Sequence, residues 1–143
     1  MQRFFETNSL FVKTELFLRF EFLASHSLSV REEPHLHLWR VVVALGGEPQ
    51  NGMIISLPDL RAAFAEILAP LEHTFLNDNC LLDADAQRAP TCETLGAFFF
   101  STFSDVLQRQ FAAQNPTVAL RSVEVAICEP TGFEWGSAKL SKE

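Results

Sequence analysis

The sequence predicts an α+β fold. Three observations carry it: period-two alternation near the N-terminus, apolar residues at three- and four-residue spacing through the middle, and alternation again after Asn115-Pro116. Period two belongs to strands and a period near 3.6 to helices. Strands and helices in separate runs describe α+β rather than alternating α/β. At 143 residues, residues 1–143 suit one compact domain.

The first strand starts at Leu16. Leu16, Leu18, Phe20 and Phe22 share one face, with Phe17, Arg19 and Glu21 on the other. A second strand fits His35 to Gly46, carried by Leu38-Trp39-Arg40-Val41-Val42-Val43. Gly46 to Gly52 holds three glycines and reads as a loop between strands. Met53-Ile54-Ile55 then resumes an extended run. Ser56 is placed as an N-cap, with Pro58 and Asp59 in a first helical turn. Leu60, Phe64, Ile67, Leu68 and Leu71 give that helix one buried face. A longer helix runs from Thr91 to about Gln114, its stripe formed by Leu95, Phe98, Phe99, Phe103, Val106, Leu107 and Phe111. Phe100 lies off the stripe and points to a second buried contact. Arg121 to Ile127 alternates as a strand, and a short last strand fits near Phe133–Leu140. The expected order is ββ(β)ααβ.

Eleven basic against eighteen acidic residues leave a formal charge of −7, which argues against wholesale binding of nucleic acid. The longest stretches free of Asp, Glu, Lys and Arg, Thr94–Ser104 and Gln110–Leu120, are eleven residues each, too short to span a bilayer. Met1-Gln2-Arg3-Phe4-Phe5-Glu6 offers no signal-peptide core. Cys80, Cys92 and Cys128 are odd in number and scattered, unlike a disulfide framework or a cysteine zinc knuckle. A soluble, cytoplasmic protein with no membrane partner is the expectation.

The four histidines carry the chemistry. His35 and His37 are two apart on a strand, so both imidazoles leave one face. His26 ends the preceding strand. If the two strands are antiparallel neighbours, three imidazoles converge and leave a fourth position open, the arrangement of a catalytic zinc. Surface histidines with no ligand are the competing reading of an H-x-H pair.

The wider pattern resembles the 6-pyruvoyltetrahydropterin synthase and 6-carboxytetrahydropterin synthase family. That family opens with F-x-A-x-H, matched by Phe22-Leu23-Ala24-Ser25-His26. Its L-H-G-H-x-Y corresponds to Pro34-His35-Leu36-His37-Leu38-Trp39, and its G-M-[VI]-x-D-[FL] to Gly52-Met53-Ile54-Ile55-Ser56-Leu57. L-D-H-x-x-L-N stands as Leu71-Glu72-His73-Thr74-Phe75-Leu76-Asn77, and P-T-x-E-N-L-A as Pro90-Thr91-Cys92-Glu93-Thr94-Leu95-Gly96. The family's last glutamate falls at Glu129. The matches run in order from about Leu10 to Glu129 and absorb all four histidines.

The resemblance implies a T-fold: an antiparallel sheet with two helices packed on one face, assembling as trimers or hexamers into an oligomeric barrel. It implies zinc held by His26, His35 and His37, acting on the side chain of a dihydroneopterin substrate. Glu72 and His73 match a carboxylate–imidazole pair for proton transfer. Glu129 would accept hydrogen bonds from the pterin N–H edge, with Thr91 and Glu93 lining the same pocket. Thr91 also reads as an N-cap and Glu93 as a first-turn acid.

The sequence departs from the family where it matters. No cysteine precedes His35, which removes the usual thiolate base. A family variant uses glutamate spaced E-x-x-H, and Glu32-Glu33-Pro34-His35 has that spacing, so Glu32 is the candidate base. Solvated loop acids are the competing reading of Glu32 and Glu33. Leu36 replaces a glycine, Ser56 an aspartate and Glu72 an aspartate. A zinc-dependent lyase of pterin side chains is the first expectation; a non-catalytic pterin- or purine-binding paralogue is the alternative.

Overall fold

The computed structural model describes residues 12–143, so Met1–Glu6, read above as lacking a signal-peptide core, lie outside the described residues. Strands β1 (Glu15–His26), β2 (His35–Gly46), β3 (Ala119–Cys128) and β4 (Glu134–Ser141) form one antiparallel sheet in the order β1-β2-β3-β4. Helices α1 (Leu57–Leu68), α2 (Ala84–Arg88) and α3 (Cys92–Gln110) lie in the crossover between β2 and β3.

The alternation of β1 does what its pattern requires. Leu18, Phe20, Phe22, Ala24 and His26 are buried, whereas Phe17, Arg19 and Glu21 are exposed. The register sets Phe22 opposite Trp39 and His26 opposite His35. On the same face, Trp39, Val41 and Val43 of β2 meet Val123 and Val125 of β3. Leu60, Phe64 and Leu68 of α1 and Leu95, Phe99 and Phe103 of α3 close over them, so both long helices cover one side of the sheet. Phe64 stacks on Phe103 with centroids 4.5 Å apart, and Phe22 meets Phe99 edge-on at 6.2 Å. Each such ring contributes about 2 to 3 kcal/mol by leaving water.

Several expectations are corrected. Met53-Ile54-Ile55 is not a strand: Gln50 and Met53 form an isolated bridge across a tight turn, while Ile54 and Ile55 are buried in the core. Their hydrophobicity plugs the sheet's end rather than pairing with it. Asn115 explains how that loop is held. It is buried; its Nδ2 donates to the carbonyls of Glu48 and Ile54, and its Oδ1 accepts from the Thr117 N–H and hydroxyl. The long helix stops at Gln110 rather than Gln114, and residues 111–114 continue only as turns. Ser56 sits at the N-cap of α1, but its side chain makes no capping hydrogen bond. The short α2, capped by Asp83, is an addition to the expected order.

Candidate functional site

The C-terminal end of β1, the N-terminal end of β2, the C-terminal end of β3 and the start of β4 meet at one end of the sheet. His26 and His37 face the core side and are buried, 5% and 4% exposed, with ring centroids 5.0 Å apart. His26 Nδ1 lies 2.7 Å from the Pro90 carbonyl, and His37 Nδ1 lies 3.0 Å from the Cys128 carbonyl. A carbonyl only accepts, so each Nδ1 carries a proton, and the neutral form of each ring presents its lone pair at Nε2. Neither Nε2 has a hydrogen-bond partner among the described residues. Burial holds His26 below the ordinary imidazole range; the Pro90 carbonyl opposes that shift, and the neighbouring His37 and His35 add to it.

These are the features of metal-binding imidazoles, whose second nitrogen is normally fixed by a carbonyl or carboxylate. The donor chemistry of the pair therefore fits a zinc ion. The third histidine stands apart. His35 is half-exposed, its ring 6.3 Å from that of His37, and its Nε2 lies 3.0 Å from Glu32 Oε1. Among the described residues, no three His, Cys, Asp or Glu side chains are arranged to hold a metal ion. The expected convergence of three imidazoles is thus present for two, with the third turned onto the glutamate three residues before it.

Glu72 and His73 occupy a different place, the free edge of β1. Glu72 Oε2 accepts the Leu23 N–H at 2.8 Å, and the His73 N–H donates to the Leu23 carbonyl at 2.6 Å. Their side chains face each other at 3.5 Å, and His73 adopts a left-handed φ of 59°. Thr91 caps α3 in a reciprocal pair with Thr94, so its hydroxyl is occupied by helix backbone. Glu93 is an exposed acid in the first turn. Both structural roles foreseen for that motif are therefore present. The residue before it adds a third, because the carbonyl that orients His26 belongs to Pro90.

Glu129 follows β3, exposed, with Oε1 accepting the Trp135 indole N–H at 3.3 Å. Trp135 also packs edge-on against His37, centroids 4.9 Å apart. Sequence reasoning missed Trp135. Two surface hollows lie away from this end: a shallow, open one of about 300 Å³ between α3 and β4, and a wider cleft beside Gly46 and Arg121.

An antiparallel sheet covered on one face by two long helices is the arrangement of a T-fold protomer. The sequence model of the 6-pyruvoyl tetrahydropterin synthase family matches residues 15–134, and the chain belongs to that family. Among solved structures, the 6-pyruvoyl tetrahydropterin synthase of Caenorhabditis elegans superposes with a TM-score of 0.69 at 17% identity, covering 92% of this chain and 97% of that one. The Plasmodium vivax enzyme gives 0.68 at 15%, covering 92% and 99%. A variant of the latter, with alanine in place of a glutamate described as a catalytic residue, gives 0.67 at 16%, again over 92% and 99%. At these identities the likeness concerns the fold. No curated protein matches the sequence. No helix among the described residues is long and apolar enough to cross a membrane.

Proposed function

We propose that this chain is a zinc-dependent pterin enzyme acting on the side chain of 7,8-dihydroneopterin triphosphate or a close relative. One observation carries the reading: two buried imidazoles are each fixed through Nδ1 by a backbone carbonyl, which leaves both Nε2 atoms free, beside a third histidine held by Glu32. His26, His35 and His37 would hold zinc, which when bound supplies Lewis acidity toward the side-chain hydroxyls of the substrate. Ligation through His35 Nε2 requires that atom to leave Glu32. The same turn of the imidazole frees the carboxylate to accept a substrate proton.

Glu32 therefore takes the role that a cysteine plays in most of the family. The Plasmodium vivax relative, whose catalytic glutamate is named as such, supports a carboxylate in this role. Glu129 grips the N–H edge of the pterin ring, and Thr91 and Glu93 border the same end of the sheet. Glu72, 3.5 Å from the His73 imidazole, orients it for proton transfer. The free thiols suit a reducing cytoplasm. The half-buried Phe100, lining the hollow between α3 and β4, supports assembly of the chain as a homo-oligomer.

The test is to incubate zinc-loaded protein with dihydroneopterin triphosphate and identify products by mass spectrometry, with metal content measured alongside. A hydroxymethyl-, carboxy- or pyruvoyl-pterin that vanishes in Glu32→Gln and persists in Glu33→Gln supports the reading and names the branch. Pterin binding without turnover by the wild type, at one zinc per chain, replaces it with the non-catalytic pterin-binding protein.

A further inference from the structure

β4 begins with a bulge. Ile127 pairs with Gly136, yet Cys128 pairs with Glu134, so Trp135 is an extra residue with no partner across the ladder. Ala138 and Leu140 pair with Val125 and Val123 and face the core side. Strict alternation back from them would put Trp135 on the outer face with Ser137. The bulge breaks the alternation and re-aims the side chain. The indole instead stands at the core-side end of the sheet, against His37 and hydrogen-bonded to Glu129.

The turn that leads into the ring is pinned. Glu129 N–H donates to the Phe133 carbonyl and Gly132 N–H to the Glu129 carbonyl, both at 2.8 Å, closing the turn between β3 and β4. Arg40 Nη2 donates to the Gly132 carbonyl at 3.1 Å while its Nε pairs with Glu21 at 2.7 Å. Despite that anchoring, Trp135 remains 60% exposed. A large aromatic surface thus lies open to water between an imidazole and a carboxylate, where a planar ligand would cover it.

We infer that Trp135 positions the Glu129 carboxylate through its indole N–H and offers its ring as the stacking surface for a 2-amino-4-oxopteridine. The inference rests on the pterin reading of this site. An ionised carboxylate has about four lone-pair sites on two oxygens. Oε1 therefore accepts the indole N–H and still accepts one of two parallel hydrogen bonds from the pteridine's amino and ring N–H groups. The indole fixes the carboxylate plane that this two-point contact needs. A pteridine with a 2-oxo group in place of the 2-amino group turns an acceptor toward the same carboxylate and is rejected.

The experiment titrates neopterin, an oxidised and unreactive pterin, and its 2-oxo counterpart into full-length wild type, Trp135→Phe and Trp135→Ala by calorimetry. The neopterin Kd rises about threefold in Trp135→Phe, which keeps a ring and loses the N–H. It rises about tenfold or more in Trp135→Ala, which loses both. The preference for neopterin over the 2-oxo compound shrinks in both variants, a change that a purely structural role would not produce. Indole emission supplies a second readout. Trp39 is fully buried, so neopterin quenches the wild type strongly and Trp135→Phe weakly. Wild-type binding that Trp135→Ala leaves unchanged in both Kd and preference overturns the inference alone. Failure of the wild type to bind neopterin overturns the pterin reading and the inference with it.

Discussion

His26, the last residue of β1, hydrogen-bonds through Nδ1 to the carbonyl of Pro90, the residue that leads into the cap of α3. The contact ties the orientation of a buried imidazole to the entry of the longest helix. It also requires a proton on Nδ1, while burial favours the neutral form of the ring.

That preference has a pH dependence in the metal-free protein. The folded pKa of His26 lies below its unfolded value of 6.5, with burial as the main cause. The unfolded state therefore takes up the proton first as pH falls. Stability from the neutral ring is fully present above 6.5 and is lost as pH drops through the lowered folded pKa. Urea midpoints for chelator-treated wild type should fall further between pH 7.5 and pH 5 than those of His26→Gln. Parallel declines would remove His26 from the account.

Asn115 is expected to be among the costliest polar residues to lose. Its amide satisfies two carbonyls of the loop after β2 from a buried position. Asn115→Ala leaves those carbonyls with one partner fewer and should destabilise the fold by about 2 kcal/mol. The melting temperature should drop by roughly 6 °C. A drop below roughly 1 °C would mean that water replaces the amide.

What was legible in the sequence follows from burial. β1 read clearly because one face lies in the core and the other in water, and β2 through its β-branched run, although its outer face is mostly half-buried. Ile54 and Ile55 misled because a buried plug and a buried strand have the same composition. α2 carries a single buried residue, Ala86, and so has no stripe to read. His26, His35 and His37 were found by type and strand spacing, and His73 and Glu129 through the resemblance to the family. The carbonyls of Pro90 and Cys128 act through backbone, which any residue supplies, and Trp135 reaches the site only through a bulge. Neither leaves a mark in the amino-acid pattern.

The backbone at His73 offers a separate test of function against structure. A φ of 59° is left-handed, a region that costs a non-glycine residue about 1 kcal/mol and a β-branched one more. The His73 side chain is largely exposed and touches Glu72 only at 3.5 Å, so it returns little stability. His73→Gly should leave the urea midpoint unchanged or slightly higher, whereas His73→Val should destabilise by more than about 1 kcal/mol. If His73 moves a proton, both variants lose turnover alike. Equal stability of the two variants would show that the backbone relaxes out of this conformation.

The thiols give a last prediction, which bears on the base. Cys80 is exposed, while Cys92 and Cys128 are buried. Burial pushes the Cys92 thiol up to about 11, aided by the nearby Glu93 charge. Burial also raises Cys128, against the pull of Arg40. A thiol is nucleophilic only as thiolate, so at pH 8 neither buried cysteine reacts readily. Ellman's reagent should therefore titrate one thiol per chain quickly and the other two only in denaturant. Cys128 sits at the histidine end through its backbone carbonyl alone: Leu38 and Glu134 pair with it on the outer side, away from His37. Pterin turnover by the zinc-loaded protein should then survive complete modification of Cys80 and be abolished by Glu32→Gln. Loss of turnover on modification of the single fast thiol would return the base to a cysteine and remove the carboxylate from that role.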